Sequence, residues 1–332
     1  MSWLDTETGE TGEQKLVHGD GEAQKFYQAL SVPALIGMEA TGNSQWFVEL
    51  VEDLGHEIWI GDAAQIRASY VRKQKTDKRD AAHILKLVVE GRFPRLWAPD
   101  REQRDMRQLV LHRHKLVLIR ARVKNELQHL SMNKGVQRKH KLWSQAGQKM
   151  LRELPLKSWA SCRREDLLSL LAMLNQQIDK LDSAVLQAAE ENPQSKLLMT
   201  QPGVGPNTAL AFVLTVGDVS RFRRGKQVAS YLGLIPREES SGGRQRLGAI
   251  TKQGNRMLRS LLVEAAQVAV VHDPGLRKQY LHRCHQKAKG VAKVATARKL
   301  AVRLYWMLRT QVGYPEIVRI ESSSGLPLVG AS

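Results

Sequence analysis

Cysteine is nearly absent. Cys162 and Cys284 are the only two in 332 residues, too few for a disulfide framework. They stand far apart with no C-x-x-C partner, so zinc finds no support, and reduced thiols of a cytoplasmic protein are expected. No apolar stretch approaches the roughly 20 residues of a spanning helix, and the first residues lack the basic start and apolar core of a signal peptide, so no membrane partner is expected. No G-x-x-x-x-G-K-[ST] loop occurs, and ATP chemistry on a P-loop is not expected. Acidic residues are also short. Asp and Glu number 33 against 51 Lys and Arg, a net charge of +18. Such an excess favours a polyanion, foremost nucleic acid, and makes its binding salt-dependent.

The most telling stretch is residues 73–82, where Asp77 and Asp80 stand three apart among Lys75, Lys78 and Arg79. An apolar helical pattern follows at Ile84, Leu85, Leu87 and Val88. On a helix, positions i and i+3 share a face, and two carboxylates so close repel unless a cation sits between them. Oxygen ligands at this spacing suit Mg²⁺; the surrounding cations suit a phosphate backbone. A solvated helix N-terminus, where the dipole favours Asp, is the simpler explanation of the pair taken alone. Glu39 shifts the balance. It closes an apolar run bounded by Pro33 and Gly42 that reads as a short buried strand. A charge there needs a partner or a task, and open α/β sheets carry their sites at the carboxyl ends of strands. A strand-end Glu facing a helix-borne Asp pair is the layout of a metal-dependent phosphodiester site.

Further along, residues 100–190 carry Leu167, Leu168, Leu170, Leu171, Leu174, Ile178 and Leu181 at helical spacing, which predicts long helices and a coiled coil. Arg120 and Lys124 belong to a one-sided basic stretch that reads as a nucleic-acid groove. Pro202-Gly203-Val204-Gly205-Pro206 reads as a helix-hairpin-helix turn, in which Gly203 and Gly205 let backbone N–H groups approach a phosphate. An ordinary Gly-Pro turn is an equal alternative. The loop Ser240-Ser241-Gly242-Gly243 lies among Arg237, Arg244 and Arg246, with Lys252 beyond. Such a loop is most often only flexible, but arginines on both sides can offset phosphate charge. A serine hydroxyl needs an activator; with no neighbouring His, a carboxylate-bound Mg²⁺ is the obvious one. Trp143, Trp159 and Trp306 read as core residues.

Glu39-Ala40-Thr41-Gly42, the 75–81 motif and the Ser240–Gly243 loop together resemble the DEDD-type insertion-sequence transposases of the IS-one-ten group. The resemblance covers nearly the whole chain. It implies an α/β plus α architecture: a RuvC-like (RNase H-like) domain over 1–98, a helical coiled-coil basic region over 99–192, a mostly helical serine transposase domain over 193–315 with the helix-hairpin-helix-like turn, and a tail over 316–332. It also implies metal ligation by Glu39, Asp77 and Asp80, and a serine that becomes linked to DNA. The family's serine directly precedes Gly, which selects Ser241 over Ser240. Implied partners are DNA (element ends and target), a guide or bridge RNA, and further copies of the chain as dimer or tetramer, in the prokaryotic cytoplasm at the nucleoid. One departure stands out. In the family the first Asp lies on an opening strand upstream of a hairpin, and that strand is not found here. Residues 3–10 read as a strand end and turn, residues 14–18 as the returning strand, and Asp5, in the turn, is not a ligand. A sheet without its first strand is expected to be destabilised and one carboxylate short. Two other functions stay open at this stage: a metal nuclease resembling a Holliday-junction resolvase, and a catalytically inactive nucleic-acid-binding remnant.

Overall fold

The computed structural model describes residues 1–70, 76–136, 141–240 and 246–323, of 321–323 the backbone alone. The chain forms two units, Met1–Pro99 and Asp100–Ser332.

The first unit opens with the antiparallel pair β1 (Ser2–Leu4) and β2 (Thr11–Glu13). The return strand thus begins earlier than residues 14–18, and the cause is local. Asp5 accepts from the backbone N–H of Glu7 and Thr8 at 2.8 and 3.1 Å, and Asp5 N bonds Glu10 O. The loop curls back within five residues. The amides of Thr8 and Glu7 hold the Asp5 carboxyl below the usual carboxylate range. Helix α1 (Glu22–Gln28) leads to β3 (Leu35–Glu39), α2 (Gln45–Asp53) and β4 (Glu57–Gly61). Strands β3 and β4 pair in parallel, Leu35 opposite Glu57 and Glu39 opposite Gly61. Among the described residues this parallel sheet holds two strands and the hairpin forms its own ladder. Helix α3 (Ala63–Ala68) is capped by Asp62, and α4 (Asp77–Val89) by Thr76, whose hydroxyl accepts from Arg79 N at 3.3 Å. The core is small: Ile66, Leu87 and Phe93, with Trp59, Tyr70, Ile84 and Val88 against them.

The second unit is almost wholly helical. Helix α5 (Arg101–Met132) and, after α6 (Gln145–Glu153), α7 (Ser158–Glu191) run antiparallel. The direction follows from three contacts: Arg113 to Asp182, Arg120 to Asn175 and Arg163 to Glu126. Leu168, Leu171 and Leu174 pack with Val123, Leu127, Leu142 and Leu151, so these leucines of the repeat are buried within the chain while Leu170 is exposed. Trp143 and Trp306 lie against cores, but Trp159 is 85 % exposed. The expectation of a core tryptophan fails there: Trp159 falls on the outward side of the first turn of α7, while Arg164 points inward, its guanidinium bonding the Leu151 and Leu154 carbonyls.

Helices α8 (Pro193–Met199) and α9 (Pro206–Val216) follow, with α9 buried from Thr208 to its end as the centre of the main core. Around it lie α10 (Gly225–Tyr231), α11 (Arg256–His272), α12 (Pro274–Gln286), α13 (Lys289–Thr310) and α14 (Tyr314–Ser323). A hairpin of β5 (Pro236–Glu238) and β6 (Leu247–Ile250) connects α10 to α11. A buried ion pair, Arg303 with Asp273, joins α13 to the α11–α12 junction.

Candidate functional site

Two glycines set the geometry of the first unit. A Cβ on Gly37 of β3 would stand 2.8 Å from Val88, and one on Gly61 of β4 would stand 2.5 Å from Phe93. Without side chains there, α4 and Phe93 settle directly onto the sheet. The first turn of α4 is thereby carried to the carboxyl end of β3, where Glu39 sits half-buried.

Tyr70 joins the two. Its hydroxyl donates to Asp80 Oδ1 at 2.6 Å, and burial, the Asp80 bond and the negative charges of Asp80 and Glu39 together push the phenol well above its ordinary value. Glu39 and Asp80 therefore act on one hydroxyl. His83, one turn further along α4, stacks on Tyr70 with ring centroids 4.1 Å apart, and its Nε2 bonds Ser69 Oγ at 2.8 Å. Neither Tyr70 nor His83 is marked by any sequence motif. The available signal is spacing alone, since His83 is three residues after Asp80 and so shares its helix face.

Asp77, the first residue of α4, is exposed. Carboxylate oxygens on a strand end and a helix first turn suit a hard divalent cation in donor chemistry. Among the described residues, however, no group of three His, Cys, Asp or Glu gathers closely enough to hold one. Asp80 is bonded to Tyr70, and Glu39 acts on that hydroxyl through its charge alone; among the described residues the three-ligand cluster is not closed.

The cations predicted to meet a phosphate backbone are placed as follows. Lys78 pairs with Glu13 at 2.6 Å, at 78 % exposure, and a pair so exposed is worth about 0–1 kcal/mol, little hindrance to exchange for a phosphate. Arg79 is exposed on the same turn. Arg120 donates to Asn175 Oδ1 at 3.3 Å, and Lys124 lies over the Trp143 ring at 5.1 Å. Burial, then the Arg120 charge, lowers the Lys124 ammonium from its usual range. Both are engaged with their own chain.

Gly203 has φ +86°, and a Cβ there would stand 2.5 Å from Ala265 O and 2.7 Å from Ala269 N. It brings the turn against the backbone of α11. Gly205 caps α9 in the open. Arg237 is exposed on β5, and Lys252, at φ 58°, bonds through its N–H to Gly233 O. Ser240 Oγ donates to Glu238 Oε1 at 2.8 Å and accepts from Arg246 N at 3.1 Å, closing the hairpin below its tip. Its hydroxyl is thus committed to the loop. Ser241, Arg244 and Lys75 lie outside the described residues.

Comparison with known proteins matches the chain in two segments, the first running beyond the first unit through most of α5. Residues 4–131 match the DEDD transposase model of IS110, and residues 195–281 match the transposase model of the IS116/IS110/IS902 family. The chain is 29 % identical over 298 residues to the "Probable family 20 transposase" of Pseudomonas aeruginosa, covering 86 % of this chain and 87 % of that one. It is 27 % identical over 248 residues to the transposase for insertion sequence element IS1111A of Coxiella burnetii, covering 71 % and 65 %. It is also 27 % identical over 244 residues to the pilin gene-inverting protein of Moraxella bovis, covering 71 % and 67 %.

Proposed function

Because the chain belongs to the IS116/IS110/IS902 family of insertion-sequence transposases, enzymes that cut and rejoin DNA, we propose that it does so through a serine–DNA phosphodiester link formed at Ser241. In this reading Glu39, Asp77 and Asp80 hold Mg²⁺ in a RuvC-like domain. That ion, when bound, would offset phosphate charge and increase the acidity of a coordinated hydroxyl. The observation that carries the proposal is the junction at Tyr70, where Asp80 is fixed by a 2.6 Å hydrogen bond and Glu39 acts on the same hydroxyl. Such fixing reduces the reorganisation that a catalytic carboxylate would otherwise need.

In the proposed chemistry the Ser241 Oγ attacks the scissile phosphorus. An Oγ–P bond forms as the bond to the departing deoxyribose oxygen breaks, and that oxygen leaves with the proton that the serine loses. Rejoining reverses the step, with a deoxyribose hydroxyl attacking the phosphoserine. One phosphodiester is exchanged for another, so no ATP is needed. Ser240 is the weaker candidate because its hydroxyl already closes the hairpin. The similarity to a gene-inverting protein supports recombination chemistry of this kind.

Lys75, Lys78, Arg79, Arg120, Lys124, Gly203, Gly205, Arg237, Arg244 and Lys252 are proposed to contact nucleic acid. A guide RNA of the bridge type is proposed as partner beside the DNA, supported by a net charge of +18. Self-association is proposed through α5, where Leu111, Leu118 and Met132 recur at multiples of seven residues and are 37 %, 49 % and 41 % exposed.

A cleavage assay on a cognate DNA end tests the reading. Ser241→Ala and Asp80→Asn should each abolish cleavage while DNA binding persists. Cleavage by Ser241→Ala at the wild-type rate would replace the serine by water and make the enzyme a nuclease.

A further inference from the structure

Between Asp273 and Glu316 the chain carries ten Lys and Arg and not one acidic residue. Most of this segment is the α12–α13 hairpin, whose antiparallel course is marked by the contact of Lys299 Nζ with Gln279 Oε1. Three of the ten, Lys299 among them, are accounted for by the fold. Arg303 pairs with Asp273, and Arg309 donates to the Phe222 carbonyl at 2.9 Å. A helix pair with exposed lysines can be merely solvated, and the lysines alone decide nothing.

Arg283 is different. It is half-buried on α12, and its Nη1 is enclosed by protein without any hydrogen-bond partner. Burial, and after it the charge of Arg298 on α13, both act against its cation. Arg298 is itself half-buried. Among the described residues neither guanidinium has an ion pair. The fold therefore holds two cations near one another, partly out of water, and supplies no carboxylate between them. Such an arrangement costs stability in the isolated chain; Nη1 itself is closed to solvent, and an anion seated on the other guanidinium nitrogens of the pair would offset the repulsion.

We propose that the α12–α13 hairpin is a nucleic-acid-binding surface on which Arg283 and Arg298 together clamp one backbone phosphate. Guanidiniums present planar forks that match phosphate oxygens, which favours phosphate over a halide or a lone carboxylate. Lys287 and Lys289, both exposed at the hairpin turn, extend the positive surface beyond what one free phosphate would use, and a polyanion follows. The choice of nucleic acid among polyanions rests on the transposase reading. Duplex DNA and structured RNA share the phosphodiester, and the test separates them.

The experiment uses the full chain, with fluorescence anisotropy on a labelled DNA duplex and on a labelled RNA hairpin at several salt concentrations. Arg283→Gln/Arg298→Gln should bind one or both about tenfold more weakly, with a log–log salt slope smaller by about one. Loss confined to one arm identifies the source of the phosphate. Lys25→Gln/Lys196→Gln removes the same charge elsewhere and should change binding less than twofold. Arg283→Met should melt no lower than wild type, because an unpaired buried nitrogen and a repulsion are both removed. The proposal is overturned if the double variant binds both ligands as wild type does, if the control pair loses as much, or if Arg283→Met lowers the melting temperature by several degrees. Wild-type protein that binds neither nucleic acid would overturn the transposase reading along with it.

Discussion

Substituting Gly203 by Ala should destabilise the second unit strongly, while the same change two residues later should do almost nothing. The backbone at Gly203 has φ +86°, where an L side chain costs about 1–2 kcal/mol. The new Cβ would also stand 2.5 and 2.7 Å from Ala265 O and Ala269 N, both backbone atoms of α11. These cannot swing aside as a side chain can, so α11 must shift, and overpacking of this kind costs about 1–3 kcal/mol. Together the loss is about 2–5 kcal/mol, or a fall in melting temperature of roughly 4–20 °C for a unit of this size. Gly205 has φ −91° and nothing within 4 Å of its Cβ position, so Gly205→Ala should stay within about 0.5 kcal/mol of wild type. Thermal melts of the full chain followed by circular dichroism make the comparison. Equal melting temperatures for Gly203→Ala and Gly205→Ala would refute the reasoning. They would show that the turn does not depend on close contact with α11.

Arg303→Met leaves Asp273 charged and enclosed; with the two side chains only 4 % and 2 % exposed, the loss should be about 3–5 kcal/mol in urea unfolding, and a loss below 1 would mean that the pair is dispensable. Tyr70→Phe removes a partly buried bond to a carboxylate and should cost about 1 kcal/mol near neutral pH. Its pH dependence has a definite sign. The folded phenol titrates above its ordinary value, so the contribution is complete below about pH 10 and is lost as pH rises through the folded value. Melts of wild type and Tyr70→Phe should therefore converge at high alkalinity, and a constant difference would contradict the Asp80 bond. Leu118→Glu should shift light scattering toward the single chain if α5 mediates self-association, and an unchanged mass would remove α5 from that role.

Much of the architecture was legible because the signals were local. The apolar run bounded by Pro33 and Gly42 is the strand Leu35–Glu39, Asp77 and Asp80 share the first turn of α4, and the leucine pattern from Leu167 to Leu181 lies on α7. The carboxylates were equally readable in position, Glu39 ending β3 and Asp77 opening α4. What escaped the sequence was tertiary. Leucine spacing shows that a helix buries one face but not which helix receives it, and here α5 of the same chain does. Trp159 is apolar in composition, yet it falls on the outward side of the first turn of α7. Tyr70 is separated from Asp80 by ten residues, and only the close seating of α4 over Gly37 brings its hydroxyl to that carboxylate.

The central claim is that a serine of this chain becomes covalently joined to DNA under the control of Glu39, Asp77 and Asp80. It is tested most directly by incubating the protein with a cognate DNA end, Mg²⁺ and any RNA it requires, then denaturing, digesting and locating the DNA-bearing peptide by mass. The account predicts one adduct, on Ser241, absent when the divalent ion is chelated and absent in Glu39→Gln or Asp80→Asn. Cleaved DNA with no protein attached, or an adduct that persists in Ser241→Ala, would contradict it.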